Sequence, residues 1–140
     1  MKKLLVIQEH NADKVGLHWD FRLEMDRSNV SEYLDKRPNP EVPTSNLMHN
    51  KVLASWVIKK CRLPLEGEKI LAVETEDHPW DYKNFEGEIK EGYGKGTVKL
   101  IFSDYIEVLE ESDTNIEFVY NLTRYKMFKV RFGWLMIRKE

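Results

Sequence analysis

Several features that would classify a protein at once are scarce or missing in this sequence. The 140 residues contain one cysteine, Cys61, which excludes an internal disulfide and a four-sulfur zinc site and favours a reducing compartment. No apolar run approaches the roughly 20 residues of a membrane span, and Leu4–Ile7 is too short to be the core of a signal peptide. We therefore expect a soluble, cytoplasmic protein with no membrane partner.

A strong excess of either charge is also missing. Twenty-two Lys and Arg oppose 24 Asp and Glu, giving a net charge of −2 and a pI near 6.1, whereas bulk electrostatic nucleic-acid binders have a pI above about 9. The charges are segregated, with only acidic residues from 101 to 117 and mostly basic ones after 121. Any polyanion would therefore have to be bound by a local patch.

Short runs rich in β-branched and aromatic residues recur along the chain, without internal repeats. They predict nine strands over 3–8, 17–25, 52–58, 70–75, 96–102, 106–110, 116–120, 126–131 and 134–138. Many short strands at this spacing favour a mostly β fold, a small antiparallel barrel or sandwich. The length fits a single domain, 1–140, and we expect a monomer.

One stretch, 26–50, departs from the strand pattern. It contains Pro38, Pro40 and Pro43, with a short helical tendency only at 30–35. Long connections of this kind are usually surface loops or functional lids. We interpret 26–50 as a loop insertion, which either carries His49 toward a substrate or lies in solvent.

The strand predicted over 17–25 alternates without a miss between apolar and polar residues. Strand side chains alternate between faces, so the polar face carries His18, Asp20, Arg22 and Glu24. A solvated face with one or two ion pairs is the simplest interpretation. The row also combines a metal-binding pair with an arginine, whose planar fork suits phosphate oxygens.

A hairpin with the preceding strand would bring His10 over His18 and Asp20. Two imidazoles and a carboxylate make a three-ligand metal site with open positions. Donors of this kind suit zinc, iron or manganese, and the residues do not choose among them.

Two further segments carry polar groups. In 76–82, His78 lies between acidic residues and can be an ordinary hydrogen-bonded loop residue, a phosphate-binding cation or a proton donor. The segment Gly92–Gly96 is glycine-rich but lacks the spacing of a phosphate-binding P-loop, so we interpret it as a turn.

Seven segments of the sequence occur together and in a fixed order. They are Val6-Ile7-Gln8-Glu9-His10, Leu17-His18-Trp19-Asp20-Phe21-Arg22-Leu23-Glu24, Leu53-Ala54-Ser55-Trp56-Val57, Leu71-Ala72-Val73-Glu74, Glu76-Asp77-His78-Pro79-Trp80-Asp81-Tyr82, Phe85-Glu86-Gly87 and Tyr93-Gly94-Lys95-Gly96-Thr97-Val98. Together these segments resemble the 3′-phosphoesterase domain of bacterial DNA ligase D and its free-standing archaeal and bacterial relatives. The similarity spans about residues 4–100 in the family's order, and is weaker at 133–138.

The resemblance implies a small β-barrel enzyme for DNA repair by end joining. Such an enzyme removes a 3′-terminal ribonucleoside from a primer-template or duplex 3′ end using manganese, and then the remaining 3′-phosphate, to give a 3′-hydroxyl. Other divalent transition metals remain open. The chain has no Lys-x-Asp-Gly adenylation motif, so the ligase, polymerase and end-binding proteins would be separate partners.

The same resemblance assigns roles to individual residues. It implies His10, His18 and Asp20 as metal ligands and Arg22 and His78 as the groups that bind the scissile phosphate. Lys60 and Tyr82 fall on family active-site positions, with Lys60 also a phosphate contact, and Glu24 and Glu76 fall on supporting acids.

The sequence departs from the family at three places. Eight positions separate His10 from His18, where the family has about six. The stretch 26–50 replaces a tight turn, and Lys59-Lys60-Cys61 replaces the family's Pro-Lys-Gly. Two alternatives stay open: a non-catalytic nucleic-acid end-binding module, and a small-molecule metallophosphodiesterase, which the near-neutral net charge slightly favours.

Overall fold

Nine antiparallel strands make up most of the part of the chain that the computed structural model describes, residues 1–26, 51–92 and 94–139. The only other regular element in those ranges is a 3-10 helix, Trp80–Asn84. The strands are β1 Lys2–Ala12, β2 Gly16–Asp26, β3 Lys51–Ile58, β4 Lys69–Pro79, β5 Gly87–Ile89, β6 Gly96–Glu111, β7 Asn115–Tyr120, β8 Thr123–Val130 and β9 Gly133–Arg138.

Eight of these strands close into an antiparallel barrel. The order is β1-β2-β3-β4-β9-β8-β7-β6, and β6 pairs back onto β1, while β5 pairs with β6 outside the ring. Closure leaves no free edge in the ring for another chain to pair with. The predicted small antiparallel barrel with only minor helical content is confirmed.

The observed strands differ from the sequence-based prediction mainly in β4, in β6 and in the short strand β5, which was not predicted. The two runs predicted over 96–102 and 106–110 form the single strand β6, because the intervening Ser103 and Asp104 pair with Val6 and Leu5 of β1. The strand β4 continues to Pro79 and includes His78. Polar residues that resemble a turn in sequence are accommodated here in a long, bent barrel strand.

The barrel interior is apolar and is filled by the inward faces of the strands. Phe21 and Leu23 of β2 and Trp56 of β3 are each at most 2% exposed and belong to one core cluster with residues from the opposite wall. Burial of such large side chains stabilises a fold by about 1.5–3 kcal/mol each. The polar face of β2 therefore points out of the barrel.

A second, smaller apolar cluster lies on the outer wall. The ring of Tyr82 packs there with Leu4, Val6 and Leu53, on the outward faces of β1 and β3. Gln8 of β1 also holds residues 82–85 against the wall, because its side-chain amide donates to the carbonyls of Tyr82 and Phe85 at 3.1 and 3.0 Å. The segment 79–89 thus covers part of the outer wall, and we call it the cover segment.

The insertion predicted over 26–50 lies outside the described residues except for Asp26, which ends β2. The helical tendency at 30–35 and His49 fall in the same undescribed part. Among the described residues, no helix is long and apolar enough to cross a membrane.

Candidate metal and phosphate site

Two histidines and an aspartate meet on the outer wall where β1 and β2 pair. His10 and His18 are directly opposite in the register, and Asp20 lies two residues along β2. The Asp20 carboxylate lies 3.1 Å from Nδ1 of His10 and 3.1 Å from Nε2 of His18. All three residues are buried, and each offers one ligand atom within 4.8 Å of the others.

The second ring nitrogen of each histidine contacts a backbone carbonyl. Nε2 of His10 lies 2.7 Å from the Gly94 oxygen, and Nδ1 of His18 lies 3.0 Å from the Gly16 oxygen. A carbonyl only accepts hydrogen bonds, so these two nitrogens carry the protons. The nitrogens that face Asp20 are therefore the ones that can bind a metal or an additional proton.

This donor set fits a divalent metal ion. Each of these nitrogen lone pairs faces a carboxylate oxygen at 3.1 Å. The two electron-rich atoms repel each other unless a cation or a proton lies between them. Adjacent ligand atoms of a six-coordinate ion at about 2.1 Å are about 3 Å apart, close to these spacings. Metal-binding histidines typically donate their other ring N–H group to a carbonyl, as both of these do. Nitrogen and oxygen donors together suit divalent transition metals.

The electrostatics of the cluster favour a charged carboxylate. Burial alone would raise the pKa of Asp20, but the neighbouring Arg22 guanidinium holds that pKa far below its usual range. Burial likewise disfavours a charged His18, yet the hydrogen bond and charge of Asp20 outweigh it and raise the pKa of His18. The Asp20 carboxyl group is therefore ionised across the neutral range.

Arg22 is held beside this cluster by four side chains. Its Nε donates to Gln8 at 2.6 Å, one terminal nitrogen lies 2.8 Å from Ser55 Oγ and 3.1 Å from His78 Nδ1, and the other lies 3.2 Å from Asp20. The guanidinium carbon also lies 4.9 Å from the centre of the Tyr82 ring. The guanidinium orientation is thus determined before any ligand binds.

His78 reaches the same point from β4 through an irregularity in the sheet. The register between β3 and β4 shifts between Leu53 and Ser55, so that the His78 ring lies beside Ser55 and Arg22 and 4.9 Å from the Tyr82 ring. Burial and the charge of Arg22 lower the pKa of His78 well below its ordinary value. The ring is therefore neutral at pH 7 in the ligand-free protein.

These groups line one cavity of about 190 Å³. It contains the three candidate ligands, Arg22 and His78, with Tyr82 and Glu76 also in its wall. One guanidinium against the two carboxylates of Asp20 and Glu76 leaves a formal charge of −1 when the histidines are neutral. A cation bound among these groups would reverse the sign of that charge.

The structure brings together seven of the nine residues expected at the site and leaves two outside. Lys60 is exposed in the turn after β3, and does not line the cavity; its charge acts on Glu68. Glu24 is buried farther along β2, where it accepts from the Leu4 amide at 2.9 Å and pairs with Lys51 at 3.2 Å.

Four residues of the site received no individual role from the sequence. Gln8 and Ser55 hold Arg22 and lie on outward positions of β1 and β3, where a polar residue among apolar neighbours was the available signal. Gly16 and Gly94 act through backbone carbonyls, which leave no signature of their own in a sequence.

The fold and this cavity define a class of protein: a small closed β-barrel with a candidate metal and anion pocket on its outer wall. A sequence profile of the DNA ligase D 3′-phosphoesterase domain matches residues 44–128, more than half of the chain. The chain therefore belongs to the DNA ligase D 3′-phosphoesterase domain family. That match includes His78 and Tyr82, whereas the candidate metal ligands precede it.

Curated relatives support the same assignment. The chain is 37% identical over 93 residues to the multifunctional non-homologous end joining protein LigD of Pseudomonas aeruginosa. It is 37% identical over 94 residues to the protein of that name from Mycobacterium bovis and over 96 residues to that from Mycolicibacterium smegmatis. These matches cover 66–68% of this chain but only 8–9% of the relatives.

Proposed function

We propose that this protein is a metal-dependent phosphoesterase that processes nucleic-acid 3′ ends during end joining. It would remove a 3′-terminal ribonucleoside from a primer-template or duplex and then the remaining 3′-phosphate. The observation that carries the proposal is the Asp20 carboxylate, which lies between two histidine nitrogens and beside Arg22. Family membership supplies the reaction class.

Nδ1 of His10, Nε2 of His18 and the Asp20 carboxylate would hold the metal. Manganese is the ion we propose, on the family resemblance, and the nitrogen and oxygen donors suit other divalent transition metals as well. A bound divalent ion would neutralise charge on a phosphoryl oxygen and lower the pKa of a coordinated water. It would also turn the cavity's formal charge from −1 to +1.

Arg22 would bind the phosphate with the one donor that its partners among the described residues leave. Of its five N–H groups, one contacts Gln8, two contact Ser55 and His78, and one contacts Asp20. The fifth, on the nitrogen next to Asp20, is left for a ligand. Its fixed orientation spares the reorganisation that weakens a mobile side chain.

His78 would bind the same phosphate as a neutral hydrogen-bond donor. The guanidinium of Arg22 can only donate, so its 3.1 Å contact with Nδ1 is a hydrogen bond when that nitrogen carries a lone pair. The ring proton is then on Nε2.

Hydrolysis would add the oxygen of water to phosphorus, break the bond to the 5′ oxygen of the terminal nucleoside, and leave water's proton on that oxygen.

The remaining predicted residues would act around this centre. The Tyr82 ring packs against His78 and Arg22 and would position both. The Glu76 carbonyl also lies 3.1 Å from Nδ1 of His78. It would accept a hydrogen bond only from the other tautomer, in which the proton is on Nδ1 and Nε2 would accept instead of donate. Lys60 would contact the strand outside the cavity, and Glu24 would support the wall through Leu4.

The decisive test is an end-trimming assay. Manganese and the protein are incubated with a labelled primer-template that ends in one ribonucleotide, and products are resolved by gel. We expect the primer to lose one nucleoside and acquire a 3′-phosphate, and then a 3′-hydroxyl. His18→Ala should abolish both steps, and a variant that trims at the parental rate would contradict the metal assignment.

The same assay separates the two alternatives. Binding of the primer end without shortening would support a non-catalytic end-binding module. Hydrolysis of bis(p-nitrophenyl) phosphate with an intact primer would support a small-molecule phosphodiesterase. Either result would overturn the proposed function.

The protonation state of His78 gives an independent prediction. In the metal-free protein its ring is expected to stay neutral as the pH falls from 8 through about 6.5, where an unperturbed histidine titrates, because its folded pKa is lowered. The ring therefore contributes stability above pH 6.5 that is lost as the pH falls toward the folded pKa.

The measurement is the Cε1–H chemical shift of His78 followed by NMR over that pH range. The urea-unfolded protein serves as the control and should titrate near pH 6.5. A folded-state midpoint at or above 6.5 would contradict burial of the neutral ring.

A further inference from the structure

The glycine-rich segment 92–96, which leads into β6, is attached at three points to β1 and to the turn that follows it. Its described residues are Gly92, Gly94, Lys95 and Gly96, which we call the glycine loop. The Gly94 oxygen lies 2.7 Å from His10 Nε2, and the Lys95 oxygen accepts from the Asp13 amide at 2.8 Å.

The third point of attachment is Gly96. It pairs with Ala12 of β1 so closely that a Cβ on Gly96 would lie 2.1 Å from the Asn11 oxygen. The end of the glycine loop is therefore fixed against the strand that carries His10.

We propose that Gly94 is a positioning residue for the metal ligand His10. Its carbonyl accepts the Nε2 proton, which leaves the Nδ1 lone pair directed at Asp20, 3.1 Å away. Its missing side chain allows this approach, because a Cβ on Gly94 would lie 3.2 Å from Cε1 of the His10 ring. This inference rests on the proposed metal site.

The two histidines are oriented by different parts of the chain. His18 bonds to Gly16, two residues away within the same hairpin, whereas His10 bonds to a residue 84 positions away. The orientation of His10 therefore depends on the glycine loop staying against β1. Groups that hydrogen-bond to a metal-binding histidine typically contribute 10–100-fold to metal affinity.

Gly94→Ala tests the contact with little effect on the backbone. Gly94 is not among the described glycines with positive φ, so alanine can adopt its conformation and the added methyl group acts on the His10 ring. Lys95→Ala is the matched control in the same loop, because its backbone hydrogen bonds survive the substitution. Manganese affinity is measured by calorimetry, and thermal unfolding of the metal-free proteins is followed by circular dichroism.

We expect Gly94→Ala to weaken manganese binding by about 10–100-fold, with metal-free unfolding as in the parent and Lys95→Ala unchanged. Parental affinity in Gly94→Ala would overturn the inference. Failure of the parent itself to bind manganese would instead contradict the proposed function.

Ring ¹⁵N NMR of the metal-free parent provides a second readout that does not need the variant to fold. We expect the neutral His10 ring to carry its proton on Nε2. A proton on Nδ1 alone would overturn the role of Gly94, whatever the outcome of the metal titrations.

Discussion

Asp20→Asn is expected to abolish manganese binding and to lower end trimming by more than about 10³-fold. The substitution keeps the size of the side chain but removes the only negative charge among the three candidate ligands. It also places an amide where the carboxylate now faces two histidine nitrogens at 3.1 Å. Loss of a metal that contributes several kcal/mol to the barrier corresponds to at least three decades in rate.

Asp104→Asn is the matched control for this experiment. Its carboxyl group is exposed on β6 and accepts from the neighbouring Tyr105 amide, away from the cavity. Circular dichroism and thermal unfolding of both variants check that the barrel is intact, because Asp20→Asn leaves the buried Arg22 without its carboxylate partner, which costs about 3–5 kcal/mol of stability. Manganese binding within tenfold of the parent in Asp20→Asn would exclude this carboxylate as a ligand.

The arrangement on β1 and β2 could be predicted because it depends on local rules. The alternation from Leu17 to Met25 places His18, Asp20 and Arg22 on one face of a strand. The even spacing between His10 and His18 keeps both rings on that face, and the hairpin indeed places them opposite each other. Short-range periodicity therefore predicted which side chains would meet.

Periodicity could not predict that this polar face would be buried. A polar row on the outer wall of a barrel is normally solvated, yet Asp20 and Arg22 are only 6% and 3% exposed. The cover segment buries part of this row, and it is held by contacts such as that of Gln8 with Tyr82, 74 positions apart. Such packing arises only when the barrel closes.

Positions near strand ends were also poorly determined by sequence. The resemblance implied Lys60 as an active-site residue, but β3 ends at Ile58 and Lys60 lies in the exposed turn that follows, outside the cavity lining. His78 was expected in a loop and lies instead on β4, beyond the register shift that directs its ring toward Arg22. A shift of one residue decides such placements, and sheet irregularities have weak sequence signals.

Arg22→Lys should separate the metal site from phosphate binding. Lysine keeps a positive charge near Asp20, so we expect manganese affinity to stay within tenfold of the parent. A single ammonium group cannot replace the planar fork that contacts Gln8, Ser55 and Asp20 at once. Trimming should therefore fall by about 10²–10³-fold, the typical effect of removing one preorganised donor.

Arg22→Ala is expected to behave differently, since it also leaves the buried Asp20 carboxylate without its cation. Breaking a buried pair in this way costs about 3–5 kcal/mol of stability, so its lost activity would not by itself identify a phosphate contact. Arg62→Lys is the matched control, because Arg62 makes a two-pronged pair with Glu68 outside the cavity. Trimming at the parental rate by Arg22→Lys would show that charge alone suffices, and that the fork held by Gln8 and Ser55 serves only the fold.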